Sequence, residues 1–427
     1  MLCYFYSMSL DLSSVKKIRR VHFIGIGGIG VSALARMYLK LRAEVTGSDR
    51  EADSPILAEL RRLGAKITHG HKAYAVSKKA DLIIYTIAIS ANNPELLRAR
   101  ALGIKALSYP EALGELSASR PTIAIAGTHG KTTTTAMVAE ILLVARRDPM
   151  VIVGSLLRRA RRGGSNFIAG NGPLVVEACE YRRSFLNLSP KILVITNIES
   201  DHLDYYRNLT AIKKAFRELA DKVPAGGVIT EKEYRQVKLP IKLRLPGEHN
   251  QRNAQAAIAA AKKLGLSERL SRRALAAFRG TWRRFEYRGR TLSGALLYDD
   301  YAHHPTEIRA TLEAARERFL RRRLVVVFQP HLYSRTKLLF HDFTASLAAA
   351  DEVLVLPIYA AREKRDPEIT GRFLATALGQ AGTPARYFGS FKTAEKYLNQ
   401  RLGRGDLLLT MGAGDVYILT QALAVKK

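Results

Sequence analysis

A strand, a glycine loop and a helix are predicted at Ala124-Ile-Ala-Gly-Thr-His-Gly-Lys-Thr-Thr133. The run from Thr122 to Ala126 is apolar enough for a buried strand, and the apolar spacing from Thr132 onward suits a helix. A glycine loop at such a junction offers backbone N–H groups and a helix N-terminus to anionic oxygens. The predicted phosphate loop consists of Gly127, Thr128, His129, Gly130, Lys131, Thr132 and Thr133.

The chemistry of this loop suits a nucleoside triphosphate. Lys131 can reach the β- and γ-phosphates, and the Thr132 hydroxyl can bind Mg²⁺. The spacing departs from the longer G-x-x-x-x-G-K-[ST] pattern, because Ile125 stands where the first glycine would be. An ordinary strand-to-helix turn is the alternative, but Gly-Lys-Thr-Thr straight after a strand favours nucleotide binding.

The composition indicates a basic protein of several domains. A chain of 427 residues suggests two to four domains. Its 68 Lys+Arg and 38 Asp+Glu give a formal charge of +30, which suits nucleic acid, an anionic membrane surface or phosphorylated substrates. The basic clusters are dispersed and lack interleaved aromatic residues, so a generally basic surface is favoured over a nucleic-acid footprint.

Cysteine content and hydropathy bear on the compartment. The two cysteines, Cys3 and Cys179, indicate neither a disulfide framework nor a Cys-based metal site, so we expect a reducing compartment, the cytoplasm. No apolar run has the length of a membrane span. Residues 1–7 lack a basic leader and a cleavage site, and we predict a disordered extension there, with Met8 as an alternative start.

The N-terminal part repeats the strand–glycine turn–helix pattern at Gly25-Ile-Gly-Gly-Ile-Gly30. A helix is predicted from Ser32 to Leu41, followed by a strand that ends at Asp49, which makes a doubly wound βαβ unit with a phosphate over the glycine loop. Alone, this pattern fits a nicotinamide dinucleotide, any nucleotide diphosphate, or simply tight packing. Another strand is predicted to end at Thr86, at the edge where open α/β sheets bind ligands.

Polar residues end two strands of the predicted central domain, which we expect to begin after a linker at residues 114–121. Glu177 lies at one strand tip, and Mg²⁺ prefers carboxylate and hydroxyl oxygens, so Glu177 and Thr132 form a plausible metal pair. A second tip is followed by Glu199, Asp201, His202 and Asp204. These four could be ligands, but for any one of them taken alone a solvated turn that caps the next helix is favoured.

The last third of the sequence predicts one more α/β domain. An alanine-rich helix is predicted from Ala254 to Lys263, so Asn253 stands at its entry, where asparagine is usually a cap. Beyond a break near Gly280, strands and helices alternate again. His303 and His304 are adjacent, and adjacent strand residues face opposite sides, so we do not expect a paired metal site.

Eight motifs, taken together and in their order along the chain, resemble those of the Mur ligase family. They are Gly25-Ile-Gly-Gly-Ile-Gly30, Gly127-Thr-His-Gly-Lys-Thr-Thr133, Glu177-Ala-Cys-Glu180, Asn197-Ile-Glu-Ser-Asp-His-Leu-Asp204, Pro246-Gly-Glu-His-Asn-Gln-Arg-Asn253, Arg284-Phe-Glu286, Asp299-Asp-Tyr-Ala-His-His-Pro305 and Phe328-Gln-Pro-His-Leu-Tyr-Ser-Arg-Thr336.

The resemblance implies an α/β fold of three domains. These are a Rossmann-like N-terminal domain that binds a UDP-sugar (residues 1–118), a trimmed central P-loop ATPase domain (119–280), and a Rossmann-like C-terminal domain that binds the amino acid and closes on the nucleotide (281–427). The hinge of that closure is expected near Gly280.

The resemblance also implies an ATP-dependent ligase of peptidoglycan synthesis. The motifs best match the branch that joins L-alanine to the lactyl carboxylate of UDP-N-acetylmuramate through an acyl phosphate. ATP and Mg²⁺ are the implied cofactors, and UDP-N-acetylmuramate and L-alanine the implied substrates. We expect a cytoplasmic monomer or weak homodimer, with no nucleic-acid partner and no membrane insertion.

Residue roles follow from the same resemblance. The UDP-sugar would be held by Gly25, Gly27, Gly28, Gly30, Asp49 and Thr86. Lys131 would bind the transferred phosphate, Thr132 and Glu177 the first Mg²⁺, and His202 a second. The nucleotide would be contacted by His249, Asn253, Arg284 and Asp300.

The amino-acid and catalytic groups would be Tyr301, His303, His331 and Arg335, with Arg335 as the partner of the alanine carboxylate. The base for the alanine amine is not identified, although His303 and His331 are suitable types.

The sequence departs from the family pattern in the central domain. Only a short bridge, Glu231 to Arg244, stands where the family has a small antiparallel sheet, so we expect that sheet to be missing. A lysine that some relatives carbamylate to hold metal has no evident counterpart, since Arg217 lies near its expected place.

Three alternatives remain open. A ligase of the same family could add a different amino acid or a recycled peptide. A nicotinamide-dependent dehydrogenase would explain only the first domain. A nucleic-acid-binding ATPase would explain the +30 charge, but no recognised nucleic-acid motif is present.

Overall fold

The computed structural model describes residues 17–159, 162–202, 205–238, 243–361 and 363–425. Two compact units are present: Met1–Lys242 with Arg252–Phe278, and Leu243–Gln251 with Arg279–Lys427. The predicted N-terminal extension, Asp204 and part of the predicted bridge lie outside the described residues.

The first unit begins with a five-stranded parallel sheet in the order β3-β2-β1-β4-β5. Its strands are β1 (Arg20–Ile24), β2 (Glu44–Asp49), β3 (Lys66–His69), β4 (Leu82–Tyr85) and β5 (Ala106–Ser108). Its helices are α1 (Ile29–Lys40), α2 (Pro55–Arg62), α3 (Pro94–Ala101) and α4 (Tyr109–Ala118), with a short 3-10 turn at Ala73–Ala75.

Two boundary predictions in this part were wrong. Helix α1 begins at Ile29 instead of Ser32, so Gly30 lies in its first turn. The predicted linker is mostly helix, because Ser108 and Glu111 form a capping box that starts α4. Gly114 lies inside α4, where a Cβ would come within 2.6 Å of the Asn187 carbonyl oxygen. The glycine therefore serves a close approach and not a loop.

The same unit contains a six-stranded sheet in the order β11-β10-β6-β9-β7-β8, in which only β7 and β8 pair antiparallel. Its strands are β6 (Thr122–Ala126), β7 (Met150–Arg159), β8 (Arg162–Ile168), β9 (Leu174–Glu177), β10 (Ile192–Ile195) and β11 (Val228–Ile229). Its helices are α5 (Lys131–Val144), α6 (Leu209–Ala220), α7 (Glu231–Tyr234), α8 (Glu248–Lys263) and α9 (Glu268–Ala277), with a 3-10 segment at Tyr181–Asn187.

The predicted trimming of the central domain agrees with the described part of the bridge. Within residues 231–238 and 243–244, the helix α7 is the one regular element. The residues of α8 before Arg252 belong to the second unit. This helix begins at Glu248, so the prediction that Asn253 caps it was wrong.

The second unit is built on a six-stranded sheet in the order β12-β13-β17-β14-β15-β16. Its strands are β12 (Glu286–Arg290), β13 (Leu296–Asp300), β14 (Arg323–Phe328), β15 (Glu352–Val355), β16 (Ala385–Tyr387) and β17 (Asp406–Met411), and only β12 runs antiparallel to its neighbour. Its helices are α10 (Pro305–Arg318), α11 (Tyr333–Leu338), α12 (Phe340–Leu347), α13 (Gly371–Gln380), α14 (Phe391–Arg401) and α15 (Tyr417–Leu423).

The three β-sheets, each accompanied by helices, confirm the predicted three-domain α/β architecture. In the first unit one apolar core extends over both sheets, since buried Phe23 and Leu34 belong to the same cluster as Phe185 and Phe216. The limits at residues 118 and 280 stay a prediction, and so does the closure about Gly280, whose φ is 84°. Among the described residues, no helix has both the length and the apolar composition needed to cross a bilayer.

Candidate active site

The predicted phosphate loop connects the fully buried strand β6 to helix α5. Gly127 and Gly130 have φ values of 137° and 82°, in the region that favours glycine. A Cβ on Gly127 would overlap the Thr196 hydroxyl, and a Cβ on Gly130 would overlap the Asn253 side-chain oxygen. Both glycines are therefore required by conformation and by space.

Asn197, which follows β10, shapes this loop. Its backbone carbonyl accepts from Thr128 N at 3.0 Å, and its side-chain oxygen accepts from His129 N at 2.8 Å. These two N–H groups are thus used inside the protein. The N–H groups of the first turn of α5, which by helix geometry have no intrahelical partner, are the ones available to an anion.

Lys131 begins α5 and is held in place by acceptors within the protein. Its Nζ donates to the carbonyls of Gly127 and Thr128 and lies 3.0 Å from the carboxylate of Glu180, which is 3% exposed. Burial acts to lower the pKa of Lys131, but the charge of Glu180 outweighs it, and the pKa is raised. The ammonium group is therefore charged and is paired with a buried carboxylate.

Thr132 and Glu177 meet as the sequence predicts. The Thr132 hydroxyl donates to Glu177 Oε2 at 2.9 Å, and Gly154 N donates to the same oxygen at 2.8 Å. A hydroxyl and a carboxylate that meet at the start of α5 are hard oxygen donors of the kind that Mg²⁺ prefers. The residues present therefore fit the implied metal.

His202 lies beside the same acidic residue that holds Lys131. Its Nε2 is 3.7 Å from Glu180 Oε1 and 3.9 Å from Asp201 Oδ2, and its ring lies 4.9 Å from that of Tyr181. His202 has a φ of 54°, and Arg182 and Arg183 next to Glu180 also have positive φ. Such backbone strain often occurs at functional sites.

The acidic residues near His202 do not cap the next helix. Asn208 caps α6 through a bond from Ala211 N at 3.0 Å. Glu199 instead lies 3.5 Å from the ring of His129 in the phosphate loop. The prediction that these residues cap the next helix is therefore wrong for the described members of this group.

The two residues expected to contact adenine fall in different units. Asn253 is on the second turn of α8 in the first unit, where its Oδ1 accepts from the Thr134 hydroxyl at 3.3 Å. In the second unit, His249 packs on Gly247, and the Asn250 amide donates to His249 Nε2 at 3.0 Å and to the Pro246 carbonyl at 2.7 Å. Asn250, which is 5% exposed, was not among the predicted residues.

The glycine loop after β1 is closed by its own hydrogen bonds. The Ser48 carbonyl accepts from the N–H groups of Gly25 and Ile26, and Asp49 Oδ2 accepts from Gly27 N at 2.7 Å. Asp49 thus shapes the loop, and the N–H groups in the first turn of α1 are the ones available to an anion. Gly28 precedes this turn as the N-cap of α1.

Two side chains press on the same loop. Thr86 packs so closely on Gly25 that a Cβ there would lie within 2.5 Å of its methyl group. Tyr109 lies against Gly30, where a Cβ would come within 2.6 Å of the phenol ring. Burial and the charge of Glu177 raise the pKa of Tyr109, so its hydroxyl stays protonated. Tyr109 was missed because its contact with Gly30 is distant in sequence.

A buried polar network supports this loop from behind. Glu95, which is fully buried, accepts from the Ser48 hydroxyl at 2.6 Å, lies 3.2 Å from His22 Nε2 and accepts from Lys72 N at 2.9 Å. Burial acts to raise the pKa of Glu95, but the hydrogen bonds outweigh it, and the pKa is lowered. No sequence pattern marks this network.

The strand pair β7–β8 contacts the start of helix α1, which follows the Gly25–Gly30 loop. On β8, the fully buried Asn166 donates to the Ser32 hydroxyl at 2.8 Å and to the Ile29 carbonyl. The first turn of α1 is thereby attached to the sheet that bears the phosphate loop.

In the second unit, Arg283 and Asp300 fix the ends of the central strands. Arg283 donates to Asp299 Oδ2 at 2.8 Å and to the carbonyls of Gly412 and Gly414. Asp300 accepts from Phe285 N at 2.6 Å and from Ala302 N at 2.7 Å, and burial raises its pKa to about 6 although Arg284 opposes this. Asp300 is thus held by backbone groups next to Arg284.

The residues predicted for the amino acid form one cluster in this unit. His303 lies 5.3 Å from Tyr301 and 5.8 Å from His331 between ring centroids. Arg335, which is 9% exposed, has Nη1 3.2 Å from His331 Nδ1. Tyr359 stacks on His331 at 5.7 Å, and this neighbour could not be predicted because it follows a different strand.

His304 has a structural role. Its side chain accepts from Thr306 N at 3.4 Å and caps α10. His303 and His304 lie in the loop after β13 and not on a strand, so the reason given against a paired metal site was wrong.

Comparison with known proteins identifies the family. Three family models match: the Mur ligase family catalytic domain over residues 20–121, the Mur ligase middle domain over residues 125–234, and the Mur ligase glutamate ligase domain over residues 283–414. The UDP-N-acetylmuramate–L-alanine ligase of Agathobacter rectalis is 39% identical, with 95% of this chain and 98% of the relative covered. That of Desulfitobacterium hafniense is 40% identical, with 94% and 99% covered.

Solved structures agree. The UDP-N-acetylmuramate-alanine ligase of Thermotoga maritima superposes with a TM-score of 0.82 at 31% identity, covering 95% of this chain and 98% of that one. A murein peptide ligase of Psychrobacter arcticus gives a TM-score of 0.69 at 25% identity, with the same coverage.

The alignments also show a difference in length. That with the Agathobacter rectalis protein spans 453 positions, more than the 427 residues of this chain, so the relative has residues that this chain lacks. The chain belongs to the Mur ligase family, whose members are ATP-dependent ligases.

Proposed function

We propose that this protein uses ATP to join L-alanine to the lactyl carboxylate of UDP-N-acetylmuramate, in the cytoplasm, as a step of peptidoglycan synthesis. The observation that carries the proposal is the 2.9 Å pair of Thr132 and Glu177 beside the buried cation of Lys131. The relatives' names supply the two substrates. We assign the sugar nucleotide to residues 1–118, ATP to 119–280 and the amino acid to 281–427.

A carboxylate is a poor acceptor for an amine, so the first step transfers the γ-phosphate of ATP to it. Phosphoryl transfer is promoted by positioning and by neutralisation of charge. Lys131 supplies a cation that Glu180 keeps protonated, and the first turn of α5 supplies N–H groups. These groups hold the phosphate chain while the carboxylate attacks.

Thr132 and Glu177 would hold one Mg²⁺ and His202 a second. The bound ions would neutralise charge on the phosphate oxygens. Glu177 is itself oriented by Gly154 N at 2.8 Å, so its carboxylate is fixed before nucleotide binds. Asn253, next to Gly130, would contact the nucleotide from α8.

The sugar nucleotide would be bound by the loop of Gly25 to Gly30. Its diphosphate would lie on the first turn of α1, while Asp49 and Thr86 keep the loop in shape. Tyr109 lies against this turn, and the charge of Glu177 helps to raise the pKa of its hydroxyl.

The amino acid would be bound in the second unit. Arg335 is the natural partner of the alanine carboxylate, because a guanidinium binds carboxylates through two parallel hydrogen bonds. Tyr301, His303 and His331 would surround its amine, and Arg284 with Asp300 would contact the nucleotide.

The test is phosphate release from ATP and Mg²⁺ with UDP-N-acetylmuramate, with and without L-alanine, L-serine, glycine or a murein tripeptide. We expect release to require both the sugar nucleotide and L-alanine. If only the tripeptide supports release, the protein is a peptide-recycling ligase and the proposal is wrong. Release without any sugar nucleotide would overturn it.

A further inference from the structure

We propose that His303 is the general base that accepts a proton from the ammonium group of alanine, and that Glu307 is the residue that orients it. This inference rests on the proposed function. It assigns different roles to the two histidines of the amino-acid cluster, which the sequence leaves equivalent.

The hydrogen bonds of His303 fix its tautomer. Its Nδ1 lies 3.0 Å from the Tyr301 carbonyl oxygen and 3.2 Å from Glu307 Oε2. A carbonyl and a carboxylate only accept hydrogen bonds, so Nδ1 carries the proton. The lone pair is then on Nε2, which has no hydrogen-bond partner among the residues that the structure describes. The ring is 18% exposed, so Nε2 can be reached by a substrate.

His331 has the opposite arrangement. Its Nδ1 lies 3.2 Å from Arg335 Nη1, and a guanidinium only donates hydrogen bonds. The lone pair of His331 therefore faces Arg335, and the proton is on Nε2. A histidine in this state donates a hydrogen bond but does not take up a proton. Between the two rings, which are 5.8 Å apart, only His303 is prepared to act as a base.

Glu307 supports His303 from the first turn of α10. Its Oε2 also accepts from His303 N at 3.2 Å, so both the backbone and the ring of His303 are tied to one carboxylate. Glu307 is 12% exposed, and its charge stabilises the imidazolium that forms when Nε2 is protonated. This is the relation of a carboxylate to a catalytic histidine in hydrolytic triads.

The other charged groups near this pair act against the imidazolium. Arg284 lies 3.6 Å from Glu307 Oε1, and Arg335 contacts the Nδ1 atom of His331 at 3.2 Å. Tyr301, whose pKa is raised by burial, stays neutral. Glu307 is thus an acidic group in direct contact with His303.

Nε2 of His303 takes one proton from the alanine ammonium, and the neutral amine attacks the acyl-phosphate carbonyl carbon. The C–N bond forms while the carbonyl π pair moves to oxygen. When the tetrahedral intermediate collapses, the C–O bond to phosphate breaks, and phosphate leaves with that electron pair and a second proton from nitrogen. The imidazolium then returns its proton to water.

The test compares alanine with hydroxylamine as the nucleophile in the complete enzyme. Hydroxylamine is largely neutral at pH 7, so it traps an acyl phosphate as a hydroxamate without a base. For His303→Gln we expect the alanine-dependent rate to fall by about a hundredfold or more, and to recover in part as the pH rises. Hydroxamate formation from UDP-N-acetylmuramate and ATP should stay within about threefold of the wild type, since it needs no proton acceptor.

The outcomes separate this inference from the proposed function. If the wild type forms no hydroxamate, the proposed function fails. If the wild type forms it but His303→Gln lowers both rates equally, His303 is not the base and the inference is overturned. Equal loss of the alanine rate at every pH would overturn it as well.

A second variant tests Glu307. Glu307→Gln keeps an acceptor for His303 N but removes the charge. When the alanine-dependent rate is plotted against pH, we therefore expect the acidic limb of the profile to move by about one pH unit toward lower pH. Glu313→Gln removes the same charge from an exposed position of the same helix and should leave the limb in place. A role confined to helix stability would lower the melting temperature of Glu307→Gln without moving the limb, and that result would overturn the assignment of Glu307.

Discussion

The Thr132 hydroxyl lies 2.9 Å from Glu177 Oε2, the carboxylate oxygen that also accepts a hydrogen bond from Gly154 N. A glutamine at position 177 could accept both bonds, so Glu177→Gln removes charge and little else. If this carboxylate holds Mg²⁺, the concentration of Mg²⁺ that gives half of the maximal rate should rise by about tenfold or more. Titration of phosphate release with Mg²⁺ measures this value.

Glu140→Gln is the matched control for that experiment. Glu140 is a half-buried carboxylate on the same helix as Thr132, and its loss should not change the Mg²⁺ dependence. An unchanged Mg²⁺ requirement in Glu177→Gln would exclude Glu177 as a ligand.

Lys131 and Glu180 form an ion pair in which the side chains are 14% and 3% exposed. Lys131→Met should abolish turnover and, because it leaves Glu180 buried without its cation, lower the free energy of unfolding by about 3 kcal/mol. Adding Glu180→Gln should restore much of this stability without restoring turnover. Urea denaturation of the two single variants and the double variant gives the coupling energy. A Lys131→Met protein as stable as the wild type would show that the pair contributes nothing.

The sequence predicts strands and helices well where residues that are close in the sequence determine them. The strand at residues 122–126 and the helix after it follow from apolar spacing, and both exist with those limits to within a residue. The strand tips at Thr86 and Glu177 were found for the same reason, since parallel strands end at one edge of the sheet.

The predictions failed where a distant residue determines the structure. Gly114 has the composition of a loop, but the Asn187 carbonyl on another element makes glycine necessary inside a helix. Glu180 follows a strand tip like many loop residues, and only the fold brings it to Lys131. The tautomers of His303 and His331 depend on Glu307 and Arg335, and no spacing in the sequence reveals which nitrogen each partner faces.

Gly130 allows α8 to approach the phosphate loop. Gly130→Ala should lower the affinity for an ATP analogue by about a hundredfold, because the new methyl group would displace Asn253 or the loop. Gly226→Ala is the control, since Gly226 has a similar φ of 75° but no atom within 4 Å of an added Cβ. It should lose about 1 kcal/mol of stability through backbone strain and keep its affinity. Equal effects of the two substitutions on binding, measured by calorimetry, would contradict the proposed role of the Asn253 contact.

Tyr234 anchors the shortened bridge of the central domain to the end of β10. Its hydroxyl donates to the Thr196 carbonyl at 2.6 Å, and Thr196 in turn donates to the His129 carbonyl in the phosphate loop at 2.6 Å. Tyr234→Phe should lower the free energy of unfolding by about 1 kcal/mol at pH 7, since it leaves a buried carbonyl without its donor. Urea denaturation measures this loss, and an equally large loss of nucleotide affinity would show that the bridge supports the loop.

Tyr234→Phe should also change how the stability of the protein depends on pH. Burial raises the pKa of Tyr234 to about 12 in the folded protein, above the ordinary value of 10.0. Between these values the unfolded chain loses the phenolic proton while the folded protein retains it, so the wild type loses stability as the pH rises from about 10 to about 12. Tyr234→Phe cannot titrate there, and its deficit relative to the wild type should shrink above pH 10. A deficit that stays constant from pH 7 to pH 11 would show that the hydroxyl of Tyr234 is not buried against Thr196 in solution.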